Sequence, residues 1–270
     1  MRYSIDDAAG IRRAAQEAAL ILSEAAQRCR AGITTGELEA LIRGDILSSG
    51  ARSLFDDRSR AGSPAFPGCA CFSVNEEVTH GVPGPRVLAR GDVVSIDLGL
   101  DLDGWCADVA TTVIVGESGG DSVAASLVRT TRELVRHAVE MIAPGVAWAT
   151  IARELERRSA VGGFGVVTEF AGHGIGRSLH EPPTAPAYWT GFDGSDFVLE
   201  AGMVLTVEPI LCAPREGRYP PANDGGLIRT PVHLGGDGWT VRTSDGSIAA
   251  HEERMVLVRK GGAKVLSVVE

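Results

Sequence analysis

The chain has 270 residues, enough for one large domain or two small ones. At 44% hydrophobic and 23% charged it has the balance of an ordinary soluble globular protein, and a formal charge of −9 leaves no basic surplus to neutralise a nucleic acid. The opening residues, MRYSIDDAAGIRR, lack a basic stretch followed by an apolar run, and no apolar run approaches a membrane span, so a cytoplasmic protein without membrane contact is expected.

Ser4 is a candidate N-cap, with Asp7 three residues later, for a first helix that places Ile11, Ala15, Ala18, Leu22 and Ala25 at helical spacing before Gly32. TTGELEALIRGDILSSG is a second helix, with Thr34 and Glu37 as a capping box and Gly50 at its end. From Pro67 to Gly116 the pattern becomes β-rich. DVVSIDLGL and DVATTVIVG flank DLDGWCA, whose Asp103-Gly104 pair marks a hairpin turn. The plan then repeats. DSVAASLVRTTRELVRHAVEMIAPG puts Val123, Leu127, Thr130, Leu134 and Met141 on one helix face, and AWATIARELERRSA is a shorter helix. After Gly165, strands are expected in VVTEFAGHG, MVLTVEP, GWTVRT and HEERMVLVRK, with a long surface loop from Cys212 to Gly238.

Each half, about 1–118 and 119–270, thus reads helix, helix, strands, without a residue-level repeat. Helices and strands are segregated within each half. The expectation is one α+β domain over 1–270, its helices covering a mainly antiparallel sheet. Five scattered cysteines give no disulfide framework. Cys69 and Cys71 form a C-x-C with no second pair to complete a zinc site, so buried thiols are the default.

Carboxylates in apolar strands need a reason, because aspartate is disfavoured there. Asp97 lies inside VVSIDLGL and Asp108 opens DVATTVIV. A turn at Asp103-Gly104 brings the two close to facing each other, where they repel unless a proton or a cation lies between them. Glu208 ends the apolar run MVLTVEP. Glu252 and Glu253 precede MVLV, and strand alternation lets only Glu253 share the face of Met255 and Leu257. Each of these also reads as a plain strand-end charge. In FAGHGIGRSLHEPP, alternating glycines disfavour a helix and an odd spacing disfavours one straight strand carrying both histidines. His173 and His180 therefore belong to a strand entering a glycine-shaped loop, with Pro182 and Pro183 ending regular structure. Two Asp, two Glu and one His converging on one core would suit two divalent metals about 3.5–4 Å apart.

These stretches resemble the type I methionine aminopeptidases, of the pita-bread metallopeptidase superfamily that also includes proline dipeptidases and creatinase. SVNEEVTHGVPGPRVLARGDVVSIDLG, GWCADVATT, GHGIGRSLHEPP, GMVLTVEPI and WTVRTSDGSIAAHEE follow the family's order over nearly the whole chain. The resemblance implies a pita-bread fold of two pseudo-twofold halves. It also implies an aminopeptidase that removes the initiator methionine from new chains with two divalent ions, for which oxygen and imidazole donors admit Co, Mn, Fe, Zn or Ni. Asp97, Asp108 and Glu253 would hold one ion, Asp108 and Glu253 bridging, and His173 and Glu208 would complete the other. His80 and His180 would contact the substrate amide and steady the tetrahedral intermediate, and Glu208 would relay a proton. The side-chain pocket would lie near Phe66, Cys71, Leu179 and Trp239.

Departures from the family pattern are Leu179 for the usual phenylalanine, Arg254 and Met255 after Glu253, and His251 for a usual glutamine, all expected near the pocket or its rim. Two readings compete with initiator-methionine removal. One is the same chemistry on another substrate, an Xaa-Pro peptide or a peptide of a specialised pathway. The other is a binding module without catalysis. The expected partner is a peptide N-terminus, and a monomer is the default.

Overall fold

The computed structural model describes residues 2–56, 58–59, 64–116, 120, 122–191, 196–213 and 227–269, with backbone alone at 5–7. Helix α1 (Ile5–Arg28) starts directly after Ser4, and the side chain of Asp7 lies outside the described residues. Its expected apolar stripe, Ile11 to Ala25, is buried against the first-half sheet. Helix α2 (Thr35–Ser48) carries the expected capping box: the Thr34 hydroxyl accepts from the Glu37 amide, and the Glu37 carboxylate accepts from the Thr34 amide. Strands β1 (Arg52–Ser53), β2 (Cys71–Val74), β3 (Glu77–Thr79), β4 (Val93–Leu102) and β5 (Trp105–Ile114) follow. In the second half come α3 (Val123–Met141) and α4 (Trp148–Gly162). After them run β6 (Gly165–Val166), β7 (Gly172–Gly174), β8 (Glu181–Ala185), β9 (Val204–Val207), β10 (Ile210–Ala213), β11 (Val232–Leu234), β12 (Val241–Thr243), β13 (Ile248–His251), β14 (Arg254–Arg259) and β15 (Gly262–Val265).

The β4–β5 hairpin is the spine of the first half. Asp103 (φ 55°) and Gly104 (φ 77°) both sit in the left-handed region, as a two-residue hairpin turn requires. Leu102 therefore pairs with Trp105, Gly99 with Asp108, and Asp97 with Ala110. The two aspartates share a face but are offset by two residues, not opposite. β1 and β2 flank β4, and α1 lies across the hairpin. The second half is organised on the sheet β15-β14-β9-β7-β8, all antiparallel. The halves meet where Glu253 donates its amide to the Ala110 carbonyl (2.9 Å), a bridge that brings the β13–β14 junction against β5.

Several expectations change. VVTEFAGHG is two short strands, β6 and β7, separated by 167–171; HEERMVLVRK breaks at Glu252-Glu253. Pro182 and Pro183 lie within β8, which tolerates them because it is a sheet edge and its outer amides need no ladder partner. Cys212 is buried in β10 and Val232–Leu234 is strand, so the expected loop is shorter; 214–226 lies outside the described residues. The buried face of α3 is Leu127, Val128, Thr131, Leu134, Val135 and Ala138, and Val123 is exposed: packing against α4 and the second-half strands selects a stripe rotated from the one the spacing suggested. The described cysteines are buried free thiols, as expected.

Close approach of strands explains the glycines around His173. A Cβ on Gly172 would lie 2.5 Å from the Thr206 carbonyl oxygen of β9, and one on Gly174 would lie 2.5 Å from that of Pro182. Gly172→Ala should force β7 away from β9, lowering melting temperature and divalent-metal content together. Gly44→Ala, on α2 with open space around it, should raise stability by up to about 1 kcal/mol and leave metal content unchanged. Thermal melts with metal analysis check both. Normal metal binding in a stable Gly172→Ala protein would show that this strand contact does not set the site.

Candidate metal centre

Three β elements deliver the carboxylates to one place. The hairpin carries Asp97 and Asp108 on one face, the end of β9 carries Glu208, and the β13–β14 junction carries Glu253. Asp97, Asp108 and Glu253 are 2–8% exposed, and the Glu208 side chain is 12% exposed. Ligand atoms of Asp97, Asp108 and Glu253 lie within 4.8 Å of one another, as do those of His173, Glu208 and Glu253. Glu253 is common to both sets, so it stands where a bridging carboxylate would. Asp108 reaches toward the second set, with its Oδ2 3.8 Å from His173 Nε2.

Such a cluster is electrostatically unfavourable by itself. Burial, then the neighbouring carboxylates, pushes Asp108 and Glu253 well above the carboxylate range. Asp97 is pushed up to about 7 and Glu208 to about 8, both mainly by burial. Asp97 Oδ1, Asp108 Oδ1 and Glu253 Oε1 are buried without a hydrogen-bond partner. Oxygen donors left bare in this way, beside one imidazole, fit divalent metal ions.

His173 is oriented for the same task. Its Nδ1 lies 2.9 Å from the Gly174 carbonyl, which can only accept, so Nδ1 carries the proton and Nε2 presents a lone pair. That lone pair faces Asp108 and, at 3.5 Å, Glu208 Oε1. A lone pair aimed at two carboxylates calls for a cation between them. Thr206 fixes the spacing: its hydroxyl donates to Glu208 Oε1 (2.7 Å) and accepts from the His173 amide (3.0 Å).

Glu252 does something different. The alternation argument picked Glu253, but its premise fails because Glu252 is buried as well. Glu252 is neutralised on its own side by Arg254, by Arg132 (3.5 Å) and by the Thr111 hydroxyl (2.9 Å). Arg254 thus serves this ion pair and donates to the Ala110 and Glu253 carbonyls, and Met255 is fully buried in the first-half core. Neither belongs to the pocket rim. His251 is buried under β4 and β5, its amide held by the Thr112 hydroxyl. Burial lowers its pKa, and its ring lies near enough to His80 at the pocket edge for like-charge repulsion to lower it further.

His180 lies beyond the turn that follows β7. The fold-back stacks its ring edge-on against His173, with centroids 4.3 Å apart. The next residue, Glu181, clamps that turn. Its carboxylate accepts from the Arg177 and Ser178 amides (2.9 and 3.0 Å) and from the Tyr3 hydroxyl (2.7 Å). His80 is half-buried with φ 54°, a strained setting for a non-glycine residue, and its ring packs edge-on to Phe170 and Trp239. Beside it opens a cavity of about 210 Å³ lined by Phe55, Arg58, Phe66, Cys71, Phe170 and Trp239. Leu179 packs against the same apolar cluster. The four expected pocket residues are therefore together. Phe55, Arg58, Phe170, Thr206 and the Tyr3–Glu181 clamp were missed. Phe170 stood in the quoted histidine stretch; the others act through contacts that no local pattern announces.

A buried carboxylate cluster with one oriented imidazole, next to an apolar pocket, defines a metal-dependent hydrolase site. The model of metallopeptidase family M24 matches residues 9–260. Over 267 residues the chain is 34% identical to the methionine aminopeptidase of Aquifex aeolicus, covering 98% of this chain and 97% of that one. It is 34% identical to methionine aminopeptidase 1 of Bacillus subtilis, covering 95% and 94%. The crystal structure of the methionine aminopeptidase from Thermotoga maritima superposes with a TM-score of 0.85 at 32% identity, covering 100% of this chain and 99% of that one. The prolidase of Pyrococcus furiosus shares the fold at 23% identity and a TM-score of 0.70, covering 100% of this chain and 66% of that one. The chain belongs to metallopeptidase family M24, and its α+β architecture is the pita-bread fold of these neighbours.

The raised pKa values set a pH dependence. An acid whose pKa rises on folding binds more protons when folded, so its contribution is full below about pH 4 and is lost as pH rises through about 7 to 8. Divalent ions remove the repulsion and compete better as the ligands deprotonate. The gain in melting temperature on adding Mn²⁺ should therefore grow between about pH 5 and about pH 8. An equal gain at both ends would show that the cluster is not where the metal binds.

Proposed function

We propose that the chain is a methionine aminopeptidase that removes the N-terminal methionine from nascent proteins, as a single catalytic domain acting in the cytoplasm on peptide N-termini. The observation that carries this is the apolar pocket of Phe66, Cys71 and Trp239 opening beside the carboxylate cluster, in a chain matching named methionine aminopeptidases end to end. Support for one domain is that Ile175, Val204, Met255 and Leu266 of the second half enter the core built under α1 and α2.

Asp97, Asp108 and Glu253 would hold one divalent ion, and His173, Glu208 and Glu253 the other, Asp108 leaning between them. Bound there, the ions supply activation of water near neutral pH and polarisation of the scissile carbonyl. The chain's own side chains do the rest. The pocket takes the first side chain and excludes water around it. His80, at the pocket edge, and His180, on the clamped turn, face the first peptide bond and steady charge developing on its oxygen. Glu208, held by the Thr206 hydroxyl at the edge of the cluster, would pass a proton to the leaving amine.

Methionine fits a soft apolar pocket, and Leu179 removes a ring from its wall. Discrimination between apolar side chains differing by a methylene or two is worth about 1–3 kcal/mol. A peptide series varying the first two residues, with metal controlled, should give the highest kcat/KM on Met-Ala and a modest preference over Leu-Ala. Leu179→Phe should widen that preference. Cleavage of Xaa-Pro peptides in place of both would replace this reading with a prolidase-like one.

A further inference from the structure

Leu179 and His180 sit on a short turn, 175–180, between the end of β7 and the start of β8. Two of its amides, Arg177 and Ser178, donate to Glu181 Oε1 (2.9 and 3.0 Å), and Glu181 is 8% exposed. A buried carboxylate holds such a turn firmly only while its own remaining lone pairs are met. Tyr3 meets them. Its hydroxyl lies 2.7 Å from each carboxylate oxygen and accepts from the Arg177 amide (3.2 Å). Burial, then the Glu181 hydrogen bond, pushes that hydroxyl up to about 12, so it stays a donor. Tyr3 is itself fixed from other sides. Its amide donates to the Gly202 carbonyl (2.8 Å), and the Gly202 amide donates to Val258 of β14 (2.9 Å). Its ring packs edge-on to Trp105, with centroids 5.6 Å apart. The Arg177 guanidinium covers the same Trp105 ring at 3.4 Å and donates to the Gly104 carbonyl (3.1 Å). The fit to the turn is close, for a Cβ on Gly176 would lie 1.9 Å from the Tyr3 hydroxyl.

We propose that Tyr3, in the segment before α1, is a positioning residue whose hydroxyl, through Glu181, fixes the 175–180 turn and so places His180 and Leu179 against the substrate. The two side chains on that turn have different neighbours. Leu179 packs against the apolar pocket cluster, and the His180 ring packs on His173. One clamp therefore sets a pocket wall and a group at the first peptide bond together. The metal donors are placed by other contacts: the β4–β5 register, the Glu253–Ala110 bridge and the Thr206 hydroxyl. Among the described residues Tyr3 hydrogen-bonds to Arg177, Glu181 and Gly202, and to none of the five proposed metal ligands. Loss of its hydroxyl leaves a buried carboxylate short of a donor, and the turn shifts to let water reach it. A misplacement of about 1 Å in a reacting geometry costs up to about 10²-fold in rate. Turnover should therefore fall with the metal centre intact.

The inference rests on the proposed role of His180 at the substrate, and the test separates the two. Tyr3→Phe deletes the hydroxyl and keeps the ring against Trp105. In the manganese-loaded protein it should lower kcat on a Met-Ala peptide about 10-fold, with KM within about 2-fold and metal content unchanged. In a His180→Ala background the same substitution should lower kcat less than about 2-fold, because the group it positions is already gone. Amide hydrogen exchange over 175–181 should quicken about 10-fold in Tyr3→Phe, while exchange in β4 and β5 stays as it was. Unchanged kcat in Tyr3→Phe, losses that multiply in the double variant, or unchanged exchange over the turn would each overturn the proposal. His180→Ala with full activity would instead sink the proposed role of His180, and the exchange rates would still decide whether Tyr3 clamps the turn.

Discussion

Four carboxylates facing one another in a nearly dry interior are the constraint on which the rest of this structure depends. Negative charge in that setting is tolerated only with protons or cations between the groups. Three of the four have an oxygen with no hydrogen-bond partner, so the fold has not arranged donors for them. Contrast Glu252, one residue from the cluster, which is equally buried and fully met by Arg254, Arg132 and Thr111. The chain neutralises one glutamate with its own cations and withholds them from its neighbour. That difference supports the proposal of Glu253 as a metal ligand more strongly than burial does.

The β architecture serves this placement. A tight Asp-Gly turn sets the register that puts Asp97 and Asp108 on one face. The Glu253–Ala110 bridge sews the second half onto that hairpin, and the narrow spacing permitted by Gly172 lets β7 bring His173 beside β9 and Glu208. Each donor comes from a different strand or junction. The site is rigid because strands, and not loops, set the relative positions of its donors. Recognition elements are held by other contacts, a clamp from Tyr3 and Glu181 on the His180 turn and aromatic packing around the pocket.

What was legible in the sequence follows from range. The hairpin and its aspartates could be read because turn chemistry and strand parity act over a dozen residues. The capping box and the stripe of α1 were legible for the same reason. The choice of Glu253 by parity rested on the premise that only one glutamate faces the interior, and that premise was wrong, because Glu252 is buried as well. The phase of α3 was misread because α4 and the second-half strands choose which side of that helix is covered. VVTEF looked like strand by composition, yet 167–171 crosses between two sheets and pairs with neither in the ladder sense. Arg58 meets His180 across 122 positions and Tyr3 meets Glu181 across 178, distances over which one sequence carries no pattern.

The most direct measurement is anomalous scattering from crystals of this protein grown with Mn²⁺. Two peaks about 3.5–4 Å apart are expected among Asp97, Asp108, His173, Glu208 and Glu253, with the Glu253 carboxylate between them. An active protein whose crystals show no manganese within that cluster, or show it only at surface carboxylates, would contradict a buried dinuclear centre.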